Sequence, residues 1–218
     1  RQARPGQFIS VYTQDKSVLL PRPISICETD AANGRLRIVY RVAGKGTAEF
    51  SGYEAGRRVD ILGVLGNGFP LEKAEGKRVF LMGGGIGIPP MLALAKAVEG
   101  AASVDVIVGY RDRELFLAED LARYAPVHIA TEDGSVGTKG NVMNVIEEEK
   151  LEVDVIFACG PMPMLRAVKQ YAAQKGIEAY ISLEERMACG VGACLGCVVR
   201  TRETDHHSHV NNARICTD

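Results

Sequence analysis

Over residues 1–70 the apolar side chains fall in short runs rich in Val, Ile and Tyr, broken by Gly, Asn, Asp and Pro. Residues 7–13, 22–29, 35–42 and 58–65 read as strands. Within the third run apolar and polar residues partly alternate, as in a half-buried strand. Short strands at this spacing predict a small antiparallel barrel or sandwich. From about Lys77 the pattern changes. Strands at 78–82, 104–108, 127–131, 154–158 and 178–182 alternate with helices at 89–98, 117–124, 142–149 and 161–175. In the last helix Met164, Leu165, Val168, Tyr171 and Ala172 form one apolar stripe, Pro161 suits the first turn and Gly176 the stop. That alternation predicts a parallel, doubly wound sheet. The segment from Leu183 is rich in Gly and Cys and too poor in apolar residues for a core of its own, so a metal centre is expected to hold it together.

The fold class is therefore a multidomain α+β chain. An antiparallel β-barrel covers 1–70, a doubly wound α/β unit 71–183, and a small cysteine-rich segment 184–218. The 46% hydrophobic and 24% charged residues are those of an ordinary globular protein. With 26 basic and 27 acidic residues the net charge is −1, which gives no reason to expect nucleic acid or an anionic membrane as partner. The chain begins at Arg1 without a charged-then-apolar leader, and its first residues read as the middle of a domain. Residues 79–98 are apolar except for Lys96, but the central Gly83-Gly84-Gly85-Ile86-Gly87-Ile88-Pro89-Pro90 breaks any continuous helix. A strand, a tight turn and a helix are predicted there, and no membrane span.

Four of the six cysteines crowd into the last 30 residues, spaced Cys189-x4-Cys194-x2-Cys197, with Cys216 after eighteen more. This is the plant-type [2Fe–2S] spacing. Four thiolates complete the coordination of two irons, while Gly190, Gly192 and Gly196 let the loop curl and aim N–H groups at sulfur. Zinc is the competing reading, although four-cysteine zinc sites usually come as two Cys-x2-Cys-type pairs and only one is present. Disulfides are the third reading, poorly matched to the reducing, cytoplasmic compartment that is expected. Cys27 reads as a small buried residue. Cys159, in Cys159-Gly160-Pro161 at the end of a predicted parallel strand, reads equally as core or as a cofactor contact. His206, His207 and His209 read as part of a solvated loop, with adventitious metal binding as the alternative.

The glycine-rich turn follows a strand and opens a helix, so Gly84, Gly85, Ile86 and Gly87 are candidates to approach a nicotinamide dinucleotide closely. Glu132 and Asp133 after the third strand of this unit are either ribose contacts or simply solvated. Arg111 is placed where a 2′-phosphate would lie, but a solvated loop arginine is the alternative, and NAD versus NADP stays open. In the barrel, Arg22-Pro23-Ile24-Ser25 offers a guanidinium to a flavin pyrophosphate, Tyr40 a ring face, and Gly44-Lys45-Gly46-Thr47 further donors. Each, taken singly, is also what a barrel corner contains.

Together these motifs resemble the ferredoxin–NADP reductase superfamily. Arg22-Pro23-Ile24-Ser25, Leu65-Gly66-Asn67-Gly68-Phe69-Pro70, and the run from Leu183 through Cys194 narrow the likeness to the electron-transfer subunits of dihydroorotate dehydrogenase B. The resemblance spans essentially the whole chain. It implies FAD contacts at Arg22, Pro23, Ile24, Ser25, Val39, Tyr40, Arg41, Gly46 and Thr47, and cluster ligands at Cys189, Cys194, Cys197 and Cys216. The glycine turn and the strand-end position of Cys159-Gly160 make Gly84, Gly85, Ile86, Gly87, Cys159 and Gly160 the candidates to meet NAD. The resemblance also implies a partner, an FMN-containing subunit that oxidises dihydroorotate, in a heterotetramer with two copies of each chain. Relatives carry additional strands before Pro5 and continue past Asp218, so further residues are expected at both ends. Two other readings remain open: a flavin subunit of a hydrogenase or sulfide dehydrogenase, and a zinc-stabilised nucleotide-binding module.

Overall fold

The computed structural model describes residues 3–204 and 209–218. Four antiparallel strands make the first unit: β1 (Phe8–Val11), β2 (Arg22–Asp30), β3 (Arg35–Ile38) and β4 (Ile61–Leu65), in the order β3-β2-β1-β4. A short helix, α1 (Lys45–Ser51), lies between β3 and β4. Ile9, Val11, Ile24, Ile26 and Phe50 form its core. The alternating strand expected over 35–42 stops at Ile38. Two different neighbours draw the chain off the ladder there. Val39 packs on the core of the next unit, while the Tyr40 ring meets Phe50 edge-on at 6.0 Å.

The second unit is a six-stranded parallel sheet: β5 (Arg78–Gly84), β6 (Ser103–Tyr110), β7 (Val127–Thr131), β8 (Thr138–Lys139), β9 (Val155–Cys159) and β10 (Glu178–Ser182). Its order is β10-β9-β5-β6-β7-β8. The apolar run at 79–82 is continuous because both faces of β5 are buried. Val79 and Leu81 point into one core with Met91 and Leu94 of α2 (Ile88–Ala97). Phe80 and Met82 point into the other with Val145 of α4 (Val142–Glu148) and Leu165 and Val168 of α5 (Met162–Lys175). The expected helix at 117–124 shrinks to one turn, α3 (Ala118–Leu121). Leu117 before it has φ +64°, and Tyr124 N–H already bonds three residues back to Leu121. Pro126 then stops the chain from continuing as helix. The two-residue β8 has no counterpart in the sequence pattern, being too short to show a period.

The units share one core. Cys27 of β2 and Phe69 of the connecting segment are buried with Val79, Leu81 and Phe157, and the Phe69 and Phe157 rings meet at 5.6 Å. Around that seam Lys96 Nζ reaches Glu28 at 2.9 Å and Arg37 reaches Asp120 at 3.0 Å. The last segment adds a two-stranded hairpin, β11 (Val198–Arg200) with β12 (Asn212–Arg214). Among the described residues no helix is long and apolar enough to cross a membrane.

Candidate cofactor cleft and cysteine centre

A cleft of about 700 Å³ opens where all three parts of the chain meet. β2 supplies Arg22, Pro23, Ile24 and Ser25 to one wall, and the chain past β3 supplies Val39, Tyr40 and Arg41. Thr47 of α1 joins them, with Ile86 and Cys159 from the parallel sheet. Gly46 sits just behind. A Cβ there would stand 3.1 Å from Arg22 Nε and 3.2 Å from Thr13 Cγ2, so glycine leaves room for the guanidinium. Arg22 Nη2 donates to the Leu20 carbonyl at 2.7 Å, whereas Nε is buried without a partner. A buried donor on a cation, left unpaired beside an open cleft, fits an anionic ligand such as a pyrophosphate. The Thr47 hydroxyl is already engaged: it accepts from Ala43 and Gly44 N–H and donates to the Gly44 carbonyl. Its role is to shape the turn.

The parallel sheet changes direction between β5 and β9, the place where open α/β sheets bind ligands. Gly84 ends β5, a 3₁₀ turn covers Gly85–Gly87, and Cys159 and Gly160 follow β9. These two loops touch through their backbones. A Cβ on Gly87 would lie 2.2 Å from the Cys159 carbonyl oxygen, and one on Gly160 3.1 Å from Gly84 N. One on Gly84 would meet Met164 Sδ at 2.6 Å. Gly84, Gly87 and Gly160 thus serve close packing. Gly85 is different: its φ is +52° and nothing lies within 4 Å of where a Cβ would stand. Pro89 and Pro90 lack N–H groups, so donors for a dinucleotide at this edge come from the turn itself. Burial pushes the Cys159 thiol up to about 12, which keeps it neutral and unreactive.

At the same edge Glu132 and Asp133 are exposed, and the Asp133 carboxylate accepts from Ser135 N–H at 2.9 Å. Glu184 enters the cleft unforeseen. Its side chain is exposed on one side, yet enough protein surrounds the carboxyl that burial raises its pKa, with Arg41 pulling the other way.

The four clustered cysteines come together as two pairs. Cys197 and Cys216 are 3% and 1% exposed, with their sulfurs 3.3 Å apart. Cys194 N–H points at Cys189 Sγ at 3.4 Å, and Val191 N–H at the same sulfur at 3.5 Å. These N–H groups lower the Cys189 thiol to about 6. Gly192 N–H points at Cys216 Sγ at 3.2 Å, and Gly196 N–H at Cys194 Sγ at 3.4 Å. Gly190 and Gly192 have φ of +69° and +79°, the left-handed region that lets the loop curl. Among the described residues no three His, Cys, Asp or Glu side chains are arranged to hold a single metal ion. Two pairs of sulfurs, each met by backbone N–H donors, fit a two-iron cluster. His206 and His207 lie outside the described residues, and His209 is exposed.

The inner pair is not isolated from the cleft. Cys197 and Cys216 pack with Phe8, Leu65, Met187 and Ile215, and Phe8, Met187 and Ile215 also line the cleft. This layer was invisible in the sequence, where Phe8 is one more apolar residue in a strand.

Comparisons with known proteins agree with that geometry. Residues 184–218 match the model of the iron–sulfur cluster binding domain of dihydroorotate dehydrogenase B. A dihydroorotate dehydrogenase B (NAD(+)) electron transfer subunit from Bacillus velezensis is 42% identical over 218 residues, covering 98% of this chain and 83% of the relative. This chain belongs to the dihydroorotate dehydrogenase B electron transfer subunits. The subunit from Bacillus caldolyticus is 48% identical over 199 residues, 89% of this chain and 77% of that one. Among solved structures, an NADH-dependent reduced ferredoxin–NADP oxidoreductase superposes with a TM-score of 0.86 at 28% identity, over 100% of this chain and 76% of that one. A ferredoxin–NADP+ reductase from Neisseria gonorrhoeae, with a TM-score of 0.68 at 19% identity over 84% of this chain and 88% of that one, shares the fold.

Proposed function

We propose that the chain carries electrons between a dihydroorotate-oxidising partner subunit and NAD+, by way of a [2Fe–2S] cluster and FAD, in pyrimidine biosynthesis. The observation that carries this reading is the shared wall. One layer of side chains, Phe8, Met187 and Ile215, touches the inner cysteine pair on one side and the cleft on the other. FAD supplies the ability to take electrons singly and give them as a pair, which a cluster-to-nicotinamide route needs.

The chain's own residues do the rest. Cys189, Cys194, Cys197 and Cys216 hold the irons, and backbone N–H groups stabilise the charge on their sulfurs. Arg22, in the space that Gly46 leaves, holds pyrophosphate oxygens. Pro23, Ile24 and Ser25 would line the flavin's place in the cleft, together with Val39, Tyr40 and Arg41. Gly85 and Ile86 present the turn to the nicotinamide dinucleotide, with Gly84, Gly87, Cys159 and Gly160 setting the spacing behind it. The buried layer around Phe8 excludes water from the path. The partner is the FMN-containing catalytic subunit, two copies of each chain forming a heterotetramer. The compartment is the cytoplasm, supported by six cysteines that are all free and by thiolates that a reducing environment protects.

The test is purification with the natural partner, followed by cofactor analysis and an assay of dihydroorotate-dependent NAD+ reduction. Near-stoichiometric FAD with two irons per chain, and NADH formed only with the partner present, is the expected result. A colourless protein containing zinc would overturn it. A coloured protein active only with some other electron donor would replace the partner and keep the wire.

A further inference from the structure

The turn after β12 closes over the cysteine loop through one arginine. Arg214 ends β12, two residues before Cys216. Its guanidinium grips the Asp218 carboxylate in a two-point fork, Nη2 to Oδ1 at 2.8 Å and Nε to Oδ2 at 2.9 Å. Arg214 N–H adds a contact to Oδ2 at 2.8 Å. Another arm of the guanidinium, Nη1, donates to the Gly192 carbonyl at 3.3 Å. Gly192 is the residue whose own N–H points at Cys216 Sγ at 3.2 Å. Thr217 fills the space beside it, since a Cβ on Gly192 would meet Thr217 Oγ1 at 2.9 Å. From the segment between the two sheets, Asn67 Nδ2 donates to the Thr217 carbonyl at 2.8 Å and so ties this turn to the wall of the cleft.

A forked Arg–carboxylate contact holds a guanidinium in one orientation, which a single-point pair of long side chains does not. The hairpin does not need it, because β11 and β12 pair through their backbones. We propose that Arg214 is a positioning residue for the cluster: it holds Gly192 N–H on Cys216 Sγ and sets a positive charge beside the loop, and Asp218 opposes that charge. The inference rests on the two-iron reading of the cysteines and goes beyond it, since it makes residues other than the ligands set the cluster's potential. In the proposed route, reduction gives the cluster one electron, drawn from dihydroorotate oxidation in the partner, and with it one more negative charge. An N–H aimed at a ligand sulfur and a nearby cation both favour that charge and raise the potential, whereas an anion lowers it. The Arg214 and Asp218 side chains are 35% and 32% exposed, so solvent and salt screen each charge only in part.

The experiment measures the cluster's midpoint potential in the complex with its partner at low salt. A redox titration is followed through the paramagnetic signal of the reduced cluster, which is distinct from that of the flavins. Arg214→Gln is expected to make the cluster harder to reduce, by up to about tenfold in the one-electron equilibrium, or ~59 mV. Asp218→Asn is expected to shift it the opposite way by a similar factor. Arg214→Lys, which keeps the charge, is expected to lie closer to wild type than Arg214→Gln. Opposite signs are the decisive readout, because a merely loosened turn would move both variants in one direction. Wild-type potentials in both variants, or shifts of one sign, overturn the proposal. If Arg214→Gln does not retain its irons, Asp218→Asn decides alone: a raised potential supports the proposal, and an unchanged or lowered one overturns it. Wild-type protein that holds no iron would sink the two-iron reading instead.

Discussion

At the scale of single residues, the glycines at the switch point divide into two kinds that the motif alone cannot separate. Gly87 faces the Cys159 carbonyl, with 2.2 Å where a Cβ would stand, and Gly85 faces open space at φ +52°. Gly87→Ala therefore forces two backbones apart and is expected to cost about 3 kcal/mol, the upper range for overpacking. Gly85→Ala meets only the left-handed backbone penalty of about 1–2 kcal/mol. Urea midpoints of the two variants check the order, and a Gly85 variant less stable than the Gly87 one would contradict it. The cysteines are the opposite case. Their spacing stands out in the sequence as a pattern that four thiolates on two irons would need, and the structure brings all four into one loop and hairpin as two pairs. Phe8, which lines the cleft and packs on the inner cysteine pair through shape alone, carries no such mark in the sequence.

At the scale of elements, β6, β7 and α4 are tied together by one side chain. His128 of β7 meets Asp105 of β6 at 3.0 Å and Glu149, which ends α4, at 2.6 Å. Burial by itself would lower the His128 pKa, but the hydrogen bonds to Asp105 and Glu149 outweigh it and raise it above 6.5. A raised folded value means that protonated His128 stabilises the fold fully below pH 6.5. The contribution is lost as pH rises through the folded value. His128→Gln is expected to be less stable than wild type by about 1.5–3 kcal/mol at pH 6, the worth of a charged hydrogen bond. The difference narrows by pH 9. Denaturation at both values tests this, and a gap that widens with pH would refute the sign. Element lengths were less legible than their existence. The strand at 35–42 lost half its length to side-chain packing of Val39 and Tyr40, and the helix at 117–124 to Leu117 and Pro126, because tertiary contacts and backbone geometry override an apolar period.

At the scale of the whole molecule, the antiparallel sheet and the parallel sheet form one packed body through Phe69 and Cys27. Phe69→Ala empties the seam and is expected to cost about 3–4 kcal/mol. It should lower one common unfolding transition, followed by both flavin release and circular dichroism. Two separated transitions in the wild type would show that the seam does not couple the units. The alternation of strands and helices, the glycine turn and the Cys189-x4-Cys194-x2-Cys197 spacing are local properties, and the sequence by itself determined them because period, backbone freedom and close ligand spacing act within a few residues. The meeting of those parts is a different matter. That Phe8 of β1, Met187 of the cysteine segment and Ile215 beside Cys216 form one wall depends on residues far apart in the chain. Only the tertiary structure decided it, since apolar packing is non-directional and leaves its partners unwritten until the chain has folded.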